Sequence, residues 1–239
     1  MSLDRLRYEM RLLGRPVVLT PILIVLGFTL LLILVQHNMS ASNIRRAIAG
    51  SLEVLLPMAA GVIVATVATH DPAIELQLTM PRKYDRTAFG RFLLIFFWMA
   101  LVSFLTALLL YLLGDQRVPL QIATWNEPWQ FLTWQLNWLA SNVWLMAVAL
   151  VLSLLVRSRS ASGALVGAFA VIELFAHDDF NHTLWLRPVY LFPLTFSPDA
   201  DYWLVNRFEL IGTALVLFLC VWFLLRLPEL LLSHAPGEE

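Results

Sequence analysis

The sequence predicts an all-α, polytopic membrane protein with about six transmembrane helices, an N-terminal interfacial helix and a broken extracellular hairpin before the last helix. Three observations carry this prediction. Of 239 residues, 59% are hydrophobic and only 14% charged, whereas a soluble domain carries about 25% charge. The apolar residues fall in runs that match the roughly 20 residues a helix needs to cross about 30 Å of hydrocarbon. The connections between runs are short, so residues 1–239 read as a single transmembrane domain. A soluble fold of this length could not hide so much apolar surface in one core. Spans must be helical, because lipid offers no partner to exposed backbone groups. The net charge of -1 argues against a nucleic-acid partner, which would select a basic surface. Cys220 is the single cysteine, so no internal disulfide can form.

Residues 1–14 predict the interfacial helix. Leu3, Leu6, Met10 and Leu13 recur at helical spacing while Arg5, Arg7, Glu9 and Arg11 occupy other faces, a basic amphipathic pattern that lies in an anionic lipid surface. Gly14 and Pro16 supply the turn into the membrane. The following apolar run lacks a small-residue cleavage site and reads as a retained span. Spans are expected over Pro16–Gln36, Ala47–Thr69, Phe89–Leu113, Phe131–Val156 and Phe208–Leu227, with a short fifth helix over Gly163–Ala176. Residues 177–203 break the pattern. His177, Asp178 and Asp179 are costly in hydrocarbon, and Arg187, Pro188 and Pro193 rule out a regular span. They predict a re-entrant or interfacial segment on the outer side, packed against protein. With both termini cytoplasmic, eleven of the sixteen arginines and lysines fall inside, in agreement with the positive-inside rule. Trp125, Trp129, Trp134 and Trp138 are expected to anchor the outer end of the fourth span at the headgroup level.

The cytoplasmic loop 70–87 carries the most specific pattern. Asp71 can cap a helix whose first position is Pro72, Glu75 lies in the first turn, and Pro81 ends the helix before the basic pair Arg82-Lys83. The result is a helix of about two turns at the membrane surface, suited to docking on a soluble partner. The stretch Glu75-Leu76-Gln77-Leu78-Thr79-Met80-Pro81-Arg82, set between the second and third of six spans, resembles the coupling helix of ABC-2 type transporter membrane subunits. The interfacial helix and the broken outer hairpin resemble the same family, so the likeness runs over essentially the whole chain. One departure is His70-Asp71-Pro72-Ala73, where these subunits often carry a glycine-rich stretch.

The resemblance implies a bacterial inner-membrane exporter subunit in which Glu75, Leu76, Leu78, Thr79, Pro81 and Arg82 meet an ABC ATPase. It implies two ATPase copies and a second membrane subunit, identical or related. The chain has no G-x-x-x-x-G-K-[ST] phosphate loop, and its only lysine is Lys83. No cofactor is therefore expected on this chain, with ATP and Mg on the partner. No catalytic residue is expected.

Polar groups inside the spans complete the candidates. Glu53, Glu173 and Glu209 fall in apolar runs, where an acid needs water, a partner or a proton. With Asn137 and Asn142 they form a candidate translocation pathway; the alternative for the acids is pairing with Arg45, Arg46 or Arg207, and for the two asparagines, as for Gln135 and Ser141, ordinary interhelical hydrogen bonding. His177, Asp178, Asp179 and His182 include metal-donor types but no i, i+4 histidine pair, so a polar turn is expected and no metal. Two rival functions remain: an intramembrane metal-dependent enzyme built on those four residues, or a non-catalytic assembly or sensor protein.

Overall fold

The computed structural model describes residues 3–35, 40–67, 84–112, 118–156 and 158–226. Every secondary-structure element among the described residues is helical. Helix α1 (Leu3–Val35) is two helices merged across a break at Gly14, whose φ of 78° and ψ of 164° are not helical. That conformation is open to glycine and costs other residues about 1–3 kcal/mol. Gly14→Ala is accordingly expected to lower thermal stability by about that amount, or to straighten the break; a thermal melt of purified protein measures the first and helix-to-helix distance labelling the second.

Helix α2 (Ala41–Gly50) starts at Ser40, whose side chain accepts the Asn43 N–H at 3.3 Å. It runs into a π-helical turn, Ser51–Leu55, and then into α3 (Leu56–Val67). Helix α4 (Tyr84–Leu112) follows, and Trp98 Nε1 on it donates to the Val18 carbonyl of α1 at 3.2 Å. Helix α5 (Glu127–Trp134) has Pro128 in its first turn, where the missing N–H costs nothing. It turns at Gln135 into α6 (Leu136–Val156). Helix α7 (Arg159–Phe175) is capped by Ser158, which accepts from the Ala161 N–H at 3.4 Å.

Between α7 and the last long helix the chain breaks into short pieces: α8 (His177–His182), a 3-10 turn (Arg187–Val189) and α9 (Pro193–Phe196). Helix α10 (Trp203–Leu225) closes the described chain.

Among the described residues, four segments are long and apolar enough to cross a membrane: Val17–Leu34, Ala88–Leu112, Glu127–Val156 and Trp203–Leu225. Two more, Ser51–Val67 and Ser160–Phe175, are apolar but shorter. Helix α6 lies at the centre, packed along α3, α7 and α10, while α3 also packs on α7 and α1 pairs with α4. Small residues make the central contacts close: Ala60, Gly61, Ala65, Ala147 and Ala149 are all buried, the usual way for helices to approach where no water drives them together. Outward faces stay apolar, with Leu23, Leu26, Phe97, Leu105, Leu215 and Leu219 exposed, as lipid contact permits.

The tryptophan expectation needs correction. Trp125 and Trp129 are exposed, but Trp134 and Trp138 are buried in the bundle. Trp138 Nε1 donates to Gln135 Oε1 at 2.7 Å, so its polar edge is satisfied inside by the α5–α6 turn.

Candidate functional site

The site forms where the broken segment 176–202 rests on the bundle. It begins with the π turn. A regular helix would rotate one of three successive side chains outward, but Leu52, Glu53 and Val54 are all buried here. The wider turn keeps Glu53 pointing inward. Its carboxylate then acts as the missing cap of α9. That helix has no side-chain cap of its own, and Pro193 at its start has no N–H to offer. Glu53 Oε1 accepts the Leu194 N–H at 3.0 Å, and Oε2 accepts the Thr195 N–H at 2.7 Å and the Thr195 hydroxyl at 2.6 Å. These are the N2 and N3 positions that a capping side chain normally serves.

Arg207 of α10 completes the arrangement and is fully buried. Its Nη2 forms a salt bridge with Glu53 Oε1. Its Nη1 donates to Ser141 Oγ on α6 and to the Leu191 carbonyl, each at 3.0 Å. Ser141 in turn donates to the same carbonyl at 3.1 Å. Leu191 therefore gives its C=O to Arg207 and its N–H to Glu173 Oε1 at the end of α7. Four elements meet on one stretch of irregular backbone, and the core residues Tyr190, Leu191, Phe192 and Leu194 are sealed there. Irregular backbone is tolerated in so dry an interior because protein satisfies its polar groups.

Other remote side chains hold the segment's rims. Gln121, from the α4–α5 connection, accepts the Leu204 N–H at 2.8 Å and donates to the Asp201 carbonyl, capping the start of α10. Asn206 Nδ2 donates to the carbonyls of Arg187 (2.6 Å) and Tyr190 (3.0 Å). The Arg187 guanidinium lies over the Tyr202 ring at 4.5 Å, and its Nε donates to the Asn181 carbonyl at 3.0 Å. Burial raises the Tyr202 phenol above its ordinary range, so it stays a neutral donor to Asn181 Oδ1.

Of the candidate pathway residues, Glu53 and Glu173 converge on this site. Glu209 is only partly buried and does not join it. Asn142 is buried and turns toward α4, where its Nδ2 donates to Ser103 Oγ at 3.4 Å; Asn137 is buried with its side-chain amide unpartnered. The side chains of Arg45 and Arg46 lie outside the described ones, so of the three proposed arginine partners only Arg207 is seen, and it pairs with Glu53. All six coupling residues, Glu75 to Arg82, also lie outside the described residues.

His177 stacks on Phe196 with ring centres 4.3 Å apart, its Nδ1 faces the Leu174 carbonyl at 3.2 Å, and its Nε2 lies 3.5 Å from Asp178. Among the described residues no three histidine, cysteine or acidic side chains gather as metal donors. An apolar crevice of about 550 Å³ between α1 and α3, lined by Leu23, Ile24, Phe28, Met58 and Val62 among others, offers no polar side chain to orient a ligand.

Sequence reasoning named Arg207 only as one of three arginines at similar depth. Thr195 and Gln121 carry no mark in the sequence, and Ser141, expected to make an ordinary interhelical hydrogen bond, also holds the Leu191 carbonyl of the broken segment. The available signal was Asn206-Arg207 ahead of a long apolar run, a polar pair that must be answered by something inside. Comparison with protein-family models, curated proteins and solved structures finds no match to this chain.

Proposed function

We propose that this chain is the membrane-spanning subunit of an ATP-driven ABC-2 type exporter, multi-pass in a bacterial inner membrane with both termini cytoplasmic. One observation carries the reading: a broken segment, 176–202, sits between the last two apolar helices and is held in the bundle by Glu53 and Arg207, as the resemblance leads one to expect of the outer hairpin. In this reading the two shorter apolar helices also cross, giving six spans, and the break at Gly14 divides an interfacial helix from the first span. Residues 75–82 connect α3 and α4 at the cytoplasmic surface and receive the motion of a separate ATPase present in two copies. A second membrane subunit completes the route. ATP can drive the cycle only by binding one global state more tightly than the other.

The test is co-purification. The tagged chain is expected to bring down an ATPase subunit, and Glu75→Arg with Pro81→Ala is expected to remove it while the membrane subunit still accumulates in normal amount. An ATPase that stays bound to that variant, or external labelling of residues 72–80, would end this reading. No specific observation favours the metal-enzyme or the sensor alternative.

A further inference from the structure

Arg207 faces two carboxyl groups and neutralises one of them. Its Nη2 is paired with Glu53, while Glu173, equally buried, joins the network only through Oε1 and the Leu191 N–H. Glu173 Oε2 and Arg207 Nε are both buried without a hydrogen-bond partner. Among the described residues, the charged and titratable groups that face Glu173 are Arg207 of α10, Glu53 of the π turn and the Tyr190 phenol of the broken segment. With both acids ionised, one guanidinium answers two negative charges, and a dry interior tolerates the excess charge poorly. Glu53 is the poorer place for the proton that balances the site, because a hydrogen there could be held only by turning the Thr195 hydroxyl from donor to acceptor. Its two oxygens already accept from the Leu194 N–H, the Thr195 N–H, the Thr195 hydroxyl and Arg207, whereas Glu173 Oε2 accepts from nothing.

From this arrangement we propose that Glu173 is a proton-binding site that reports whether the broken segment is seated. In the seated form Glu173 is a neutral carboxylic acid. When residues 190–195 lift away, it meets water, its O–H bond breaks and the proton passes to solvent, leaving a hydrated carboxylate. Because the seated form holds this proton more tightly than the open one, linkage fixes the sign. The seat is fully stable below the titration of the open carboxyl, and its stability falls as pH rises from there to the titration of the seated acid, above which it levels off. This holds whether or not the chain works in an exporter.

The test compares purified full-length protein with Glu173→Gln, whose amide mimics the protonated acid and keeps an oxygen for the Leu191 N–H. At neutral pH the infrared difference between the two should contain the carbonyl band of a protonated carboxylic acid, shifted in heavy water. Hydrogen exchange of the amides in 190–195, taken as the ratio of the natural protein to Glu173→Gln at each pH, should rise by about a decade per pH unit between the titration of the open carboxyl and that of the seated acid, and level off above it. A carboxylate band in place of the acid band, a flat ratio, or a Glu173→Gln protein that fails to fold would each overturn the assignment.

Discussion

Replacing Arg207 with methionine is expected to cost about 3–5 kcal/mol, the range for removing one partner of a buried pair and leaving the other charge alone. For a folded state held by only about 5–15 kcal/mol, that loss should sharply reduce the fraction of detergent-purified chain that runs as a single folded species, and should lower its melting temperature. The cost comes from Glu53, which stays buried with its caps to α9 but without the cation. Glu53→Gln should also destabilise, for a different reason: whichever way the amide is turned, its NH2 faces the Leu194 N–H or the Thr195 N–H and hydroxyl. Combining Arg207→Met with Glu53→Gln removes both charges, and the double variant should lose less than the two singles added together. A strictly additive cycle would mean that the two residues act independently, and would remove the pair from its role in holding the segment.

The second large effect is expected at Gly61. A Cβ built there lies 2.8 Å from Val166 Cγ1 on α7 and 3.3 Å from the Leu145 carbonyl on α6. The side chain could give way, but the carbonyl belongs to the backbone of the central helix, so α3 must move outward. Gly61→Leu is therefore expected to cost about 1–3 kcal/mol, the usual penalty of overpacking, or more, and to disturb the π turn that aims Glu53. Gly212→Ala is the contrasting change, since nothing lies within 4 Å of its Cβ. It should be neutral or stabilising by up to about 1 kcal/mol, the helix preference of alanine over glycine. Thermal unfolding of the two variants side by side checks both signs. Equal melts would mean that α3, α6 and α7 are not in close contact at this point.

What the sequence made legible was local. Gly14 ahead of Pro16 marked the break in α1, because the former permits and the latter favours a change of direction there. Arg187, Pro188 and Pro193 marked the broken segment, since an interior proline removes a helical hydrogen bond. The long apolar runs marked the helices, with ends displaced where a partner far along the chain changes the local cost. The last helix is the clearest case. Judged by local cost, Arg207 belongs outside hydrocarbon, so the span was expected to begin at Phe208, yet α10 starts at Trp203 and takes the arginine inside. Glu53 makes that possible, and the two are 154 positions apart. Nothing in the spacing of either residue encodes the other.

The same limit applies to the tryptophans. Trp138 looks like a headgroup anchor until Gln135 is seen to satisfy its N–H within the bundle. The π turn left no trace in the pattern either, because it shifts the register of an apolar run without changing its composition. The candidate site was therefore visible as a set of polar residues in apolar surroundings, but not as a set of contacts.

The separation of Glu53 from Arg207 has a consequence for how the protein is made. A ribosome adding about 5–20 residues per second delivers the acid roughly eight to thirty seconds before its counter-ion emerges. During that interval Glu53 has neither Arg207 nor the Leu194 and Thr195 donors that it meets in the folded bundle. The native contacts of Glu53 with residues 194, 195 and 207 can therefore close only near the end of synthesis.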